Sequence, residues 1–363
     1  MTEVSAPRAR ADPDTWPPPL EPLVVRFGRI GDMVMHAPFL ECLHLRYGRP
    51  CNLVSTGAWS EALFGDNPHV GAIRVVRDRH TPFALSVDRW KLVAELRKHE
   101  GPVYVSETLA SQSERIRTLL AYAHVPFGHC VFLDDVRASE MHGVDQLLRF
   151  AAWTPLAWSP SDYPYPTREV APVPTLDAPP ADREDCDAWL KRRGWTGNPI
   201  VLLQPGSKHT IKWGRQRDRA KAWPLERWCE LIRLMSGRLR NAMFVLCGAT
   251  HERRLLKRIR DQCHAGSAAV AVATSDLPLR RLMALMRFAH SMVSVDTGPA
   301  HLAAALACPV VVIYGNESPR VWRRRGRAPN LVVELGGPLH GARADAVSTM
   351  DAYGAWLNLG HRV

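Results

Sequence analysis

The sequence predicts an α/β protein made of two doubly wound units, with parallel sheets, facing each other across a cleft. Three observations carry this. Short apolar runs alternate with amphipathic helical stretches in both halves of the chain. A proline-rich stretch, Thr154 to Pro180, separates the halves. Several apolar runs end in polar, glycine-bearing turns, where open α/β sheets hold ligands.

The polar, proline-rich start to about residue 22 reads as a disordered tail. The first unit, 23–180 with its connector, opens on a strand from Leu23 to Phe27. A turn through Gly28, Gly31 and Asp32 follows, then a helix from about Met33 to Tyr47. Further strands are expected at Asn52–Ser55, Ile73–Val76 and Val103–Ser106, with helices at Val87–Lys98 and Ser113–His124. The second unit, 181–345, carries strands at Ile200–Gln204, Met243–Cys247, Ala269–Val272, Met292–Val295, Val310–Tyr314 and Leu331–Val333. Its helices are expected at Leu225–Arg238, His251–Gln262, Leu279–Phe288 and Ala300–Leu306. The last segment, 346–363, is expected to form a helix that packs back on the first unit.

At 363 residues, with 46% hydrophobic and 23% charged, the chain can bury two ordinary cores. No apolar run approaches the roughly 20 residues of a bilayer span, and the start lacks the apolar core of a secretory signal, so a cytoplasmic protein is expected. None of the eight cysteines forms a C-x-x-C pair, which favours buried reduced thiols over zinc or disulfides. The net charge of +11 favours anionic partners. Nucleic acid is not among those expected, because no helix-turn-helix, zinc-finger or RNA-recognition pattern is present.

Four motifs carry chemistry. In Arg26 to Leu40 (RFGRIGDMVMHAPFL) a strand ends in a low-bulk turn and Asp32 sits at the helix start. The dinucleotide fingerprint G-x-G-x-x-G is absent, which argues against a nicotinamide enzyme. Asp32 reads equally as a helix cap and as a carboxylate that takes a proton from a sugar hydroxyl. His36, one turn on, reads as structural. In Leu202 to Trp228, a strand runs into Pro205-Gly206-Ser207 and a loop bearing Lys208, Lys212, Arg215, Arg217, Arg219 and Lys221. Such a loop suits a diphosphate, with Ser207 and Lys221 flanking it, while its arginines read by default as exposed and without a ligand. In Val245 to Glu252, Glu252 reads equally as a ribose acceptor and as a first-turn helix charge. In Ser291 to Gly315 (SMVSVDTGPAHLAAALACPVVVIYG), a strand, a turn and an alanine-rich helix place Asp296, Thr297, Gly298 and His301 at a helix start that attracts phosphate. The run Arg320 to Arg327 reads either as a surface contact for an anionic acceptor or, by default, as a solvated stretch.

Taken in order, these motifs resemble glycosyltransferase family 9, the ADP-heptose:lipopolysaccharide heptosyltransferases, from about Leu23 to Trp322. RFGRIGDMVMHAPFL is similar to that family's first strand, turn and helix. QPGS, KAWPLERW, CGATHE and SVDTGPAHLAAALACPVVVIYG are similar to its donor-side signatures. The resemblance implies a GT-B fold of two Rossmann-like domains, acceptor on the first and donor on the second. It implies inverting transfer of L-glycero-D-manno-heptose from its ADP donor to an anionic glycolipid of the lipopolysaccharide core. No metal or cofactor is required, and the site of action is the cytoplasm, peripheral to the inner membrane. It assigns Asp32 as general base beside the acceptor-side turn of Gly28 and Gly31. It puts the diphosphate on Ser207, Lys221, Thr297 and Gly298, sugar or diphosphate on Asp296 and His301, and ribose on Glu252. The chain departs from the family in a longer, more basic stretch between Ser207 and Lys221, and in Asn316-Glu317 after Gly315. Two other readings stay open: the same enzyme class with another nucleotide sugar or a protein acceptor, and a non-catalytic module that binds nucleotides or anions.

Overall fold

A computed structural model describes residues 17–77, 86–137, 141–207, 211–212, 215–216, 221–263, 269–315, 319–328, 330–338 and 343–360. The first lobe runs β1 (Leu23–Val25), α1 (Ile30–Met35), α2 (Ala37–Tyr47), β2 (Cys51–Ser55), α3 (Trp59–Phe64), β3 (Val70–Val75), α4 (Val87–Leu96), β4 (Val103–Val105), α5 (Ala110–Tyr122), β5 (Cys130–Phe132), α6 (Leu133–Val136) and α7 (Gly143–Ala151). Its five strands are parallel, in the order β3-β2-β1-β4-β5. The apolar faces of α1, α2, α3 and α7 pack on one side of the sheet. Those of α4 and α5 pack on the other, through Leu92, Val93, Ile116 and Leu120.

The second lobe follows with α8 (Pro180–Arg193), β6 (Ile200–Gln204), β7 (Ile211–Lys212), β8 (Arg215–Gln216), α9 (Leu225–Arg238), β9 (Met243–Cys247), α10 (Arg253–Cys263), β10 (Ala269–Ala273), α11 (Leu279–Phe288), β11 (Ser291–Val295), α12 (Gly298–Ala305), β12 (Val310–Tyr314), α13 (Pro319–Trp322), β13 (Val332–Gly336) and α14 (Thr349–Leu357). Six strands form a parallel sheet in the order β10-β9-β6-β11-β12-β13, and β7 and β8 pair separately as a short antiparallel ribbon. Strands β6, β11 and β12 are buried along their whole length, as parallel strands covered on both faces must be. In each sheet the strand order reverses beside the first strand. The reversal lies between β1 and β4 in the first lobe and between β6 and β11 in the second. These crevices at the strands' carboxyl ends are where doubly wound sheets bind ligands.

Four sequence expectations need correction. The tail is ordered from residue 17. Leu20 N donates to Tyr47 O at 2.8 Å, and the Tyr163 hydroxyl donates to Pro18 O at 2.9 Å; residues 1–16 lie outside the described residues. The expected helix from Met33 to Tyr47 breaks at His36, because Pro38 has no N–H to continue the ladder. The connector is not merely extended: Tyr163, Val170, Leu176 and Ala178 are buried in the core. The closing helix α14 packs on the second lobe, not the first. Ala352, Ala355 and Trp356 join the cluster of Trp223 and Trp228, and Trp356 Nε1 donates to Ser291 Oγ at 2.8 Å. The helix lies against α9, β12 and β13, where its hydrophobic face is buried. All eight cysteines are free, and seven of them are buried.

Candidate functional site

The second lobe's crevice gathers residues from the ends of adjacent strands. β11 ends at Val295, and Asp296 and Thr297 lead into α12 with Thr297 as its N-cap. Thr297 Oγ1 lies 3.0 Å from Ser294 Oγ, so its hydroxyl is held in place without capping the helix. Asp296 is a mostly buried carboxylate between two cations. Arg324 Nη2 donates to its Oδ1 at 2.5 Å, and Lys221 Nζ lies 3.8 Å from its Oδ2. Arg324 is itself fully buried. It also donates to Thr297 O at 3.3 Å and to the Tyr314 hydroxyl. The hydroxyl donates in turn to Glu334 Oε1 at 2.8 Å. Burial pushes the Glu334 carboxyl above the usual range.

Ser207 follows β6 and is buried. On the neighbouring strand end, Glu252 reaches back to Ala249, whose N–H donates to Oε2 at 2.7 Å. Its Oε1 is buried against a glycine at position 206 that has no side chain to displace it, with the Gln204 side chain within reach of the carboxyl. Burial raises the Glu252 carboxyl above its ordinary value. One oxygen thus serves the helix start, as the first-turn reading expects, and the other faces the Gln204 and Gly206 end of β6.

In the first lobe Asp32 stands at N3 of α1. Its Oδ2 accepts from Arg29 N at 2.8 Å, and its Oδ1 lies 3.3 Å from Arg26 Nη2. Arg26 is buried and also reaches Glu107 Oε2 through Nη1, at 3.2 Å. Gly28 lies over this pair: a Cβ there would stand 2.8 Å from both Arg26 Nε and Asp32 Cβ. His36 is buried, with Nδ1 2.8 Å from Asp32 O and Nε2 2.8 Å from Ser106 Oγ. Burial, with Arg26 beside it, pushes its imidazole down to about 3, so it is a neutral structural group.

The two crevices meet where the start of α1 touches the start of α12. A Cβ on Gly31 would come within 2.9 Å of His301 Cδ2 and 3.5 Å of Gly298 Cα, so the lobes approach here too closely for a side chain. His301 is buried, which holds its imidazole well below its usual pKa. Asp32 is thus one residue from the contact that carries Gly298 and His301. The structure brings Asp32, Lys221, Asp296, Thr297, Gly298 and His301 to one junction, with Ser207 and Glu252 farther along the second sheet. Of the basic loop, Lys208, Arg217 and Arg219 fall outside the described residues, as does Asn316-Glu317. The run 320–327 is solvated at Arg320, Arg323 and Arg327 but not throughout. Arg324 is buried on Asp296, and Arg325 grips Asp145 through two contacts of 2.6 Å. Sequence reasoning missed Arg324, Arg26 and Glu107. Among the described residues no group of three or more histidine, cysteine, aspartate or glutamate side chains is placed to hold a metal ion. No described helix is long and apolar enough to cross a membrane.

Residues 136–337 match glycosyltransferase family 9 (heptosyltransferase). Lipopolysaccharide heptosyltransferase 1 of Escherichia coli O18:K1:H7 is 33% identical over 130 residues, which is 35% of this chain and 37% of that protein. The match thus spans little more than a third of that relative's length. Among solved structures, a family 9 glycosyltransferase from Veillonella parvula DSM 2008 superposes with a TM-score of 0.72 at 17% identity, covering 93% of this chain and 95% of that one. E. coli heptosyltransferase WaaC with ADP superposes with a TM-score of 0.65 at 20% identity, covering 93% and 99%. The fold, two parallel α/β lobes face to face, is the GT-B arrangement of these proteins.

Proposed function

The chain belongs to glycosyltransferase family 9, and from that premise we propose that it is an inverting transferase moving a heptose from ADP-L-glycero-D-manno-heptose to a lipopolysaccharide core acceptor. The observation that carries the reading is the contact of α1 with α12, which sets Asp32 beside the Asp296–His301 segment across the lobe boundary. Asp32 takes the proton of the acceptor hydroxyl, whose oxygen attacks the anomeric carbon as the bond to the diphosphate breaks. Lys221, the Ser207 hydroxyl and the N–H groups at the start of α12 stabilise the charge growing on the departing ADP. The Glu252 carboxylate, buried beside Gly206 at the end of the second sheet, accepts from a ribose hydroxyl. The net charge of +11 suits an anionic donor and an anionic glycolipid at a membrane surface. Supporting the donor assignment, WaaC shares this fold in complexes with ADP and with ADP-2-deoxy-2-fluoro heptose, at TM-scores of 0.65 and 0.60.

The test is ADP release and product formation from ADP-heptose with a heptose-free lipopolysaccharide core, together with the anomeric configuration of the product. Asp32→Asn is expected to lower turnover about 10²–10⁴-fold, the usual worth of a general base, and to leave ADP affinity nearly unchanged. Wild-type turnover in that variant removes Asp32 as base. Transfer from another nucleotide sugar, with none from ADP-heptose, removes the donor assignment.

A further inference from the structure

We propose that Glu107 is a positioning residue for the Asp32 base: it holds Arg26 and offsets its charge, so that Asp32 keeps the basicity its task needs. The inference rests on the reading of Asp32 as base and adds a second carboxylate to it.

The placement follows from the sheet. Because the strand order reverses between β1 and β4, the residues just past their carboxyl ends face one crevice. Past β1 these are Arg26 and Phe27; past β4 they are Ser106 and Glu107. Glu107 is almost wholly buried, at 1% exposure. Its Oε1 accepts from the backbone N–H of Phe27, and its Oε2 from Arg26 Nη1 at 3.2 Å. The same Nη1 donates to Ser106 O at 2.7 Å. Arg26 Nη2 then reaches Asp32 Oδ1 at 3.3 Å. Arg26 Nε is buried with no partner, so the guanidinium acts through its two Nη groups. The side chain of Asp32 is 20% exposed and forms the open end of this chain of charges.

A carboxylate held by one arginine alone is clamped in its ionised form and becomes a poor base. A second carboxylate on the same guanidinium divides that attraction. His36 on α1 is neutral, and His301 from α12 is held neutral by burial. Arg29 contributes its backbone N–H, and Arg137 donates to Thr108 O, next to Glu107. A mere staple between β1 and β4 needs only an acceptor for Phe27 N–H, which glutamine supplies equally well.

The test is the pH profile of kcat/KM for the acceptor, read by ADP release, in wild type, Glu107→Gln, Arg26→Lys and Asp32→Asn. In Glu107→Gln the whole pull of Arg26 falls on Asp32. The acid limb should move about one pH unit lower and the plateau fall about tenfold, with the donor KM within about twofold of wild type. Glu107→Asp, which keeps the charge, should restore the limb. In Arg26→Lys the compact ammonium cannot span both carboxylates, so the limb should move up. This arm decides the question if Glu107→Gln does not fold. An unmoved limb in a folded variant of either kind overturns the proposal. If Asp32→Asn is inactive while the limb stays put, this inference fails alone; if Asp32→Asn keeps full turnover, the base reading fails and this one with it.

Discussion

Replacing Arg324 with methionine removes a cation of 0% side-chain exposure that sits 2.5 Å from Asp296 Oδ1. What remains is a carboxylate of 13% exposure whose other cation, Lys221, is 3.8 Å away. The Tyr314 hydroxyl loses its guanidinium neighbour as well. At about 4 Å between charge centres and an effective dielectric of about 20, the lost attraction is about 4 kcal/mol. Breaking a buried pair from one side typically costs about 3–5 kcal/mol, in agreement with that figure. The variant should therefore lose about 3–5 kcal/mol of a total stability on the order of 5–15 kcal/mol. Urea unfolding followed by tryptophan fluorescence measures this, because Trp223, Trp228 and Trp356 all lie in the second lobe's core. Arg324→Met with Asp296→Asn removes both charges and should recover at least about half of the loss. A loss below about 1 kcal/mol in the single variant, or a further additive loss in the double, would falsify the buried-pair argument.

Two further outcomes follow from the same geometry. Gly31→Ala puts a Cβ 2.9 Å from His301 Cδ2, so stability should fall by about 1–3 kcal/mol and turnover by about tenfold or more, read by thermal melting and initial rates. Glu252 has its carboxyl raised by burial, so the native chain holds that proton longer than the unfolded chain does. Its favourable contribution is complete below the ordinary carboxylate range and is lost as pH rises through the raised value. Glu252→Gln should therefore match wild type near pH 4, gain on it in urea midpoint by pH 8, and bind ADP about tenfold more weakly. A stability difference independent of pH would refute the first part.

The parallel strands of the second lobe were legible because burial on both faces makes them continuous apolar runs: Val310–Tyr314 is VVVIY. The turn after Val295 was legible for a related reason, since strand end, cap and helix start are consecutive in sequence. Strand β5 was not, because three residues running straight into a helix leave no periodicity to read. The side on which α14 packs was not legible either, because an amphipathic helix states that it has a partner and not which one. Arg324 was hidden in a run of arginines whose composition says solvent. Only the fold shows that residue 324 points inward while Arg323 is 69% exposed. Glu107 carried no motif at all. Its meaning lies in Arg26, 81 residues earlier, and that pairing exists only once β4 lies beside β1.

The three residues Arg323, Arg324 and Arg325 join the two crevices more directly than the motifs do. Arg324 turns into the second lobe and fixes Asp296. Arg325 crosses to α7, gripping Asp145 and also donating to Pro172 O at 3.0 Å. His142 accepts from Val144 N through Nδ1, so its Nε2 carries the hydrogen and donates to Arg323 O at 2.8 Å. Helix α7 is fixed to α2 by the stacking of Phe150 on Phe39, with ring centroids 5.7 Å apart. A rotation of the lobes that stretches the Arg325–Asp145 pair therefore pulls on the backbone on which Arg324 holds Asp296. The exposed end of this link is cheap to break, at about 1 kcal/mol or less, whereas the buried end is not. The link is therefore weak where it meets Asp145 and strong where it meets Asp296.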